Sequence, residues 1–154
     1  MAAGVWKVYA SAKRKIGSGT IPLGVTSAFR FQLFRASASA KLLLLSTLIG
    51  NGSVPGEISA AGGYATGGKQ LPPATGKWTT GASTRQMKFT FTTAGVVFTG
   101  GPLNNIKYGA IRNSTGAGAG YMLCYCTLSA TAFTVASGNT LTISPAATGV
   151  FTLA

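Results

Sequence analysis

Histidine and aspartate are absent from this 154-residue chain, and glutamate occurs once, as Glu57. General acid–base catalysis relies on groups that titrate near neutrality, most often His, Asp or Glu. Sites for Mg²⁺, Ca²⁺ or Zn²⁺ rely on carboxylates, imidazoles or clustered thiolates. One Glu and two Cys supply neither set. A cysteine nucleophile needs a neighbouring base, and no histidine is present to act as one. Nothing marks a buried reactive lysine. The chain is therefore expected to bind or to build rather than to catalyse, without metal or cofactor.

Long apolar runs are scarce too. The longest covers residues 42–45 with Leu48 and Ile49, far short of the roughly 20 residues that span a bilayer. Residues 1–16 carry charges and contain no apolar centre of the secretory kind. No membrane association and no export are expected. Cys124 and Cys126 lie two apart, so on a strand they share a face and are poorly placed to bridge. They read as small buried hydrophobes of a reducing compartment.

What the chain does have is positive charge. Thirteen Lys and Arg against one acid give a formal net charge of +12. Only 9% of residues are charged and 46% are hydrophobic, whereas a typical soluble domain has about a quarter charged residues. A disordered basic tail would show the opposite balance. The length fits one domain with a real core, burying roughly 70% of the extended surface. Twenty-two glycines, with abundant Thr, Ser and Ala, imply a weakly charged coat. Such a coat suits lasting contact with neighbours in an assembly; a bland monomer is the alternative.

Val5, Val8, Tyr9, Ala12 and Ile16 follow helical spacing, with Lys7, Lys13, Arg14 and Lys15 on the other side. This pattern predicts an N-terminal amphipathic helix, or an arm over residues 1–18, ended by Gly17 and Gly19. Phe29, Phe31 and Leu33 alternate with Arg30 and Gln32, as in a half-buried strand. Residues 37–49 are ambiguous, their leucine run favouring helix over a stretch too short for its period to decide, and residues 51–76 are rich in loop-forming Gly, Pro and Asn.

Strands then return. Met87, Phe89 and Phe91 alternate with polar residues, and 96–98 follow a turn at Gly95. Ile106, Tyr108 and Ala110 form the next alternating set. Residues 113–120 read as a flexible connection and 121–128 as a central strand, apolar on both faces. Residues 133–135, 140–144 and 150–153 complete the series. Short strands with regular turn signals predict an all-β fold, an antiparallel β-sandwich of jelly-roll or immunoglobulin-like kind, over residues 19–154. The expected core is Phe29, Phe31, Met87, Phe89, Phe91, Tyr108, Leu123, Tyr125 and Leu141.

Charge is uneven along the chain. Seven of the thirteen cations precede Leu42, and no charged residue follows Arg112. The last part should supply core strands and neutral contact surface. Lys7, Lys13, Arg14, Lys15, Arg30, Arg35 and Lys41 form the candidate electrostatic contact set. The run Lys13-Arg14-Lys15 is the most compact part of it, suited to phosphates or to an acidic protein surface. Tyr and Trp are scattered and make no evident stacking platform for single strands, which weighs against nucleic acid. Residues 63–69 resemble the start of a phosphate loop, but Gln70 replaces the Ser or Thr that reaches Mg²⁺, so a glycine turn is expected. Asn51-Gly52-Ser53 and Asn113-Ser114-Thr115 match the glycosylation pattern and are expected to be turns.

The order of segments resembles a known family. Gly19-Thr20-Ile21-Pro22-Leu23 leads to Phe29-Arg30-Phe31-Gln32-Leu33. A segment from Glu57 to Leu71 follows, with the pattern Glu-x-Ser-x-x-Gly-Tyr-x-x-Gly-Gly approximated by Glu57-Ile58-Ser59-Ala60-Ala61-Gly62-Gly63-Tyr64-Ala65-Thr66-Gly67-Gly68. Phe89 to Phe98 precedes Ile106-Lys107-Tyr108-Gly109-Ala110-Ile111. Asn139-Thr140-Leu141-Thr142-Ile143 and Gly149-Val150-Phe151-Thr152-Leu153 close the chain. This arrangement is similar to the small virion structural proteins of tailed bacteriophages, over roughly residues 15–154. Where that family often carries an acidic stretch, this chain has Phe91-Thr92-Thr93-Ala94-Gly95, so any charge or ion role there is lost.

The resemblance implies a β-sandwich on the phage particle, made in the host cytoplasm and placed on the virion. Its expected role is that of a capsid decoration, or cement, protein. Its expected partners are the major capsid protein and its own copies, as a homotrimer; neck, tail-fibre and nucleic-acid-binding coat roles are the alternatives.

Overall fold

The computed structural model describes residues 4–21, 29–39, 55–71, 78–80, 87–114 and 120–153, with the backbone alone at 78–80, 87 and 153. The fold is all-β and antiparallel, with one short α-helix among the described residues. The elements are β1 (Lys7–Val8), α1 (Ala10–Gly17), β2 (Phe29–Arg35), a 3-10 turn (Ala36–Ala38), β3 (Lys69–Gln70), β4 (Trp78–Thr80), β5 (Met87–Phe89), β6 (Val96–Thr99), β7 (Leu103–Asn113), β8 (Met122–Thr127), β9 (Phe133–Val135), β10 (Thr140–Ile143) and β11 (Phe151–Leu153). A main sheet runs β1-β8-β7-β2-β3, with β9 also paired to β7. Two smaller sheets run β10-β6 and β11-β5-β4.

The pairing of β2 with β7 sorts the side chains. Phe31 stands opposite Ile111, Leu33 opposite Gly109, Arg30 opposite Arg112 and Gln32 opposite Ala110. On the far side of β7, Ile111 meets Cys124 and Gly109 meets Cys126. Side chains alternate along a strand. One face of the main sheet therefore carries Phe29, Phe31, Leu33, Ile111, Cys124 and Cys126. The opposite face carries Arg30, Gln32, Phe34, Tyr108, Ala110, Arg112 and Tyr125.

The first face meets both small sheets through aromatic rings. Phe29 lies edge-on to Phe89 at 5.2 Å between centroids, and Phe31 lies 6.4 Å from Phe98. Phe89 in turn stacks on Phe151, its direct cross-strand partner, at 5.2 Å. Phe29, Phe31, Phe89 and Phe98 are all fully buried. Each contributes about 1.5–3 kcal/mol of apolar transfer free energy. Ring pairs of this geometry add about 0.5–1.5 kcal/mol apiece.

Of the expected core, Phe29, Phe31, Phe89, Phe91, Tyr108, Leu123, Tyr125 and Leu141 are buried; the Met87 side chain lies outside the described set. The expectation of a half-buried β2 needs correction. Gln32 and Phe34 are buried as well, because the second face of β2 is also covered.

The N-terminal helix is shorter than its apolar spacing predicts. Residues 7 and 8 form an edge strand on β8, with Lys7 opposite Tyr125 and Val8 opposite Cys124. Tyr9 then adopts an extended backbone at the helix N-cap, and its amide donates to the Leu123 carbonyl. Trp6 lies edge-on to Phe31 at 6.0 Å, and Tyr9 packs on Tyr125 at 5.6 Å. Sheet pairing and two aromatic contacts thus override helical periodicity over residues 5–9. Val5, on the apolar side of the expected helix, is instead 85% exposed.

Two turn expectations also change. Residues 69–70, within the loop-rich stretch, pair with β2. Asn113 is not in a turn; it ends β7 opposite Phe29 and is buried. Asn51, most of 37–49 and most of the 113–120 connection lie outside the described residues.

Gly109 marks the tightest point of the core. A Cβ there would stand 2.4 Å from Cζ of Phe31. That ring is fixed between Trp6 and Phe98, so it has nowhere to retreat. Gly109→Ala is expected to cost about 1–3 kcal/mol by overpacking. The cost would be read as a lower urea midpoint with unchanged slope. In a Phe31→Leu background the same substitution should cost measurably less; equal cost in both backgrounds would show that the ring is not the obstacle.

Candidate interaction site

The chain's only side-chain carboxylate is turned inward. Residues 56–58 run along the edge of β2: the Arg35 amide donates to the Gly56 carbonyl at 2.8 Å and the Ile58 amide to the Leu33 carbonyl at 3.0 Å. Ala61 and Tyr64 then exchange backbone hydrogen bonds of 3.1 and 2.8 Å around Gly62-Gly63. Both glycines have positive φ, 50° and 76°, as a two-residue type I′ turn requires. The turn brings Tyr64 back to β2. Its hydroxyl donates to Glu57 Oε1 and accepts from the Leu33 amide at 3.2 Å. The Gly67 amide donates to the same carboxylate oxygen at 2.7 Å.

Glu57, Tyr64 and Gly67 therefore form one hydrogen-bonded lock on the β2 edge. The Tyr64 ring rests 5.7 Å from Phe98. Burial first, and then the hydrogen bond to Glu57, push the Tyr64 phenol well above its ordinary range. The most specific stretch of the sequence resemblance is thus a structural device. Residues 63–69 lead into β3 rather than into a helix, as a glycine turn and not a phosphate loop.

The thiols are equally withdrawn. Cys124 and Cys126 are free and buried. Burial pushes the Cys126 thiol up to about 12. Cys124 is raised well above the usual thiol range, by burial and then by Cys126 beside it. Neither forms a thiolate near neutrality. No cluster of three or more His, Cys, Asp or Glu exists among the described residues.

The cations fall into distinct groups. Lys13 and Arg14 are exposed on α1. Lys15, half-buried, lies over the Tyr121 ring at 5.3 Å, a cation–π contact. Lys7 is exposed on β1 opposite Tyr125, and so shares the second face of the main sheet with Arg30. Arg35 stands apart at the end of β2, where its Nη2 donates to Ser59 Oγ at 3.0 Å. Lys41 lies outside the described residues. The structure thus brings Lys13, Arg14 and Lys15 together on one helix and Lys7 and Arg30 onto one sheet face, but does not gather all seven candidates.

Other cations are used within the fold. Lys69 Nζ donates to the Val97 carbonyl at 2.6 Å, and Lys88 Nζ to the Ala147 carbonyl at 3.2 Å. Arg112 was absent from the candidate set. Its place opposite Arg30 depends on the pairing of β2 with β7, which brings together residues 82 positions apart in sequence. The alternation of Ile106, Tyr108 and Ala110 is the one local signal of a strand next to it.

Beyond Arg112 the surface is neutral. Thr127, Ala130, Thr131, Ala132, Thr134 and Ala136 are exposed, and all are small. No helix among the described residues is long and apolar enough to cross a membrane. Comparison with protein-family models, curated proteins and solved structures gave no match to any of the three.

Two outcomes follow from the lock and the thiols. Glu57→Ala is expected to cost about 2–3 kcal/mol, because it removes an ionised acceptor of two hydrogen bonds, and Tyr64→Phe about 1 kcal/mol. A double-mutant cycle should show coupling of at least about 0.5 kcal/mol; strict additivity would refute the lock. For the thiols the unfolded chain loses protons from about pH 9, while folded Cys126 keeps its proton to about 12. The native state then binds more protons, so stability is full below pH 9 and falls as pH rises toward 12, by up to roughly 1.4 kcal/mol per unit for each thiol. Chemical denaturation across that range should show a shallower fall in Cys126→Ala than in the parent protein.

Proposed function

We propose that this protein is a structural component of a tailed-bacteriophage virion, a capsid decoration or cement protein that binds the outer surface of the major capsid protein shell. The observation that carries this reading is the pairing of exposed cations on α1 with the absence of any carboxylate able to meet them. Glu57 is held by Tyr64 and Gly67, so the Lys13–Arg14 charge finds its counter-charge outside the chain. The order of sequence segments, similar to small phage virion proteins, supplies the kind of partner. The neutral, small-residue exposed surface after Arg112 suits packing against sibling copies, as in a trimer.

In this reading the β-sandwich is a rigid platform and the basic helix is its docking element. Exposed charge gives steering and register more than raw affinity. Firm attachment comes from many weak contacts repeated over the shell. No catalytic step is involved.

The test is binding of the purified protein to empty phage shells. Three surface contacts of about 0.5 kcal/mol each correspond to about tenfold in affinity. Replacing Lys13, Arg14 and Lys15 together by Gln should therefore weaken binding about tenfold, with a stability loss no larger than the Lys15–Tyr121 contact, about 0.5–1 kcal/mol. Binding should saturate over the whole shell lattice. Unchanged binding by the triple variant would refute the docking element. Binding at a single vertex would favour a neck role, and preference for naked DNA over shells a genome-binding coat role.

A further inference from the structure

Arg30 of β2 and Arg112 of β7 are direct cross-strand partners, so their side chains leave the same face of the main sheet. Like charges in this position repel. The nearest carboxylate oxygen, Glu57 Oε1, is already taken by the Tyr64 hydroxyl and the Gly67 amide, although Arg112 lies close enough to Tyr64 to favour ionisation of its phenol. Arg30 Nη1 donates once, to the Gly68 carbonyl at 3.1 Å. Arg112 Nε is buried and has no hydrogen-bond partner among the described residues. A desolvated charged donor without an acceptor is costly, and native proteins keep few of them without a reason.

The surroundings of the pair have the form of a site. The backbone at Gly67 and Gly68 closes over it. A Cβ on Gly67 would stand 3.2 Å from Arg112 Nη2, and one on Gly68 would stand 2.7 Å from Gln32 Cγ. A side chain at Gly67 would press on the guanidinium, and one at Gly68 would meet the Phe31 carbonyl at 2.4 Å, so the glycines let the backbone lie directly against the pair. Gln32 is the diagonal neighbour of Arg112, only 1% exposed, and its Oε1 has no partner. A half-turn of that amide exchanges its oxygen for its NH₂ group at almost no steric cost, turning a buried acceptor into a buried donor. Two guanidinium groups, an unmet Nε–H and a reversible amide thus converge on one place. All of them are satisfied by the same kind of group, one with negatively charged oxygens.

We propose that Arg30, Arg112 and Gln32, roofed by Gly67 and Gly68, form a binding site for an oxyanion of carboxylate or phosphate type. The anion accepts from the Arg112 Nε–H edge and from the free donors of Arg30, and the Gln32 amide turns to donate to it. This inference does not rest on the capsid reading, and it holds or fails on the free protein.

The test is a titration of the folded, full-length protein with sodium acetate and with sodium phosphate, against sodium chloride at matched ionic strength. The readouts are the NMR signal of the Arg112 Nε–H and the unfolding temperature. A saturable Arg112 shift with a rise in unfolding temperature is expected for at least one oxyanion and not for chloride. Response to acetate identifies an acidic side chain as the natural ligand type, and response to phosphate a phosphate group. Arg112→Lys, which keeps the charge and loses the Nε–H fork, should weaken binding at least tenfold, whereas Lys13→Gln with Arg14→Gln should leave it unchanged. No saturable shift, or the same shift with chloride, would overturn the proposal. The wild-type Arg112 signal decides even if the Arg112 variant folds poorly.

Discussion

The structure turns on the position of a single carboxylate. Glu57 is the one acidic side chain in a chain of net charge +12, and it faces a tyrosine hydroxyl and a backbone amide instead of a lysine or arginine. Had it paired with a surface cation, the pair would have contributed about 0–1 kcal/mol. Placed in the lock, it fastens residues 56–68 to the open edge of β2, which would otherwise present unpaired backbone groups to any passing strand. The consequence is electrostatic. With the acid committed to the lock, the exposed Lys13 and Arg14 of α1 have no other acidic side chain on this chain to meet.

That arrangement divides the molecule by chemistry. The first half brings the basic helix, the lock and the strand that carries Arg30. The last third brings β8 to β11, whose buried side chains build the core and whose exposed side chains are Thr, Ser, Ala and Gly. The buried thiols and phenols are held protonated: Cys124, Cys126, Tyr9 and Tyr64 all lie above their ordinary ranges, chiefly by burial. None of these groups is poised to react near neutrality.

How much of this is legible in the sequence depends on how local each cause is. Strands β6, β7, β9 and β10 are visible because their alternation is short-range and bounded by glycine or asparagine turns. The aromatic core is visible for the same reason. The N-terminal helix is overread because Val5, Val8 and Tyr9 fit a helical period by number, while the pairing of Lys7 with Tyr125 that decides their conformation lies more than a hundred residues away. The lock is half legible: the residues of its motif stand out, but their function as a hydrogen-bonded closure of β2 appears only when Tyr64 is folded back onto Glu57. The facing of Arg30 and Arg112 is invisible in one dimension, since it depends on the register between two distant strands.

The central claim is that unmatched positive charge drives this protein onto a negatively charged scaffold. The most direct measurement is the association of purified protein with empty phage shells over a range of ionic strength. Exposed charge contacts are screened within roughly 10 Å at 0.1 M salt, so the account predicts saturable binding whose association rate falls steeply as salt is raised. A rate indifferent to salt, or no association with shells at any ionic strength, would contradict it.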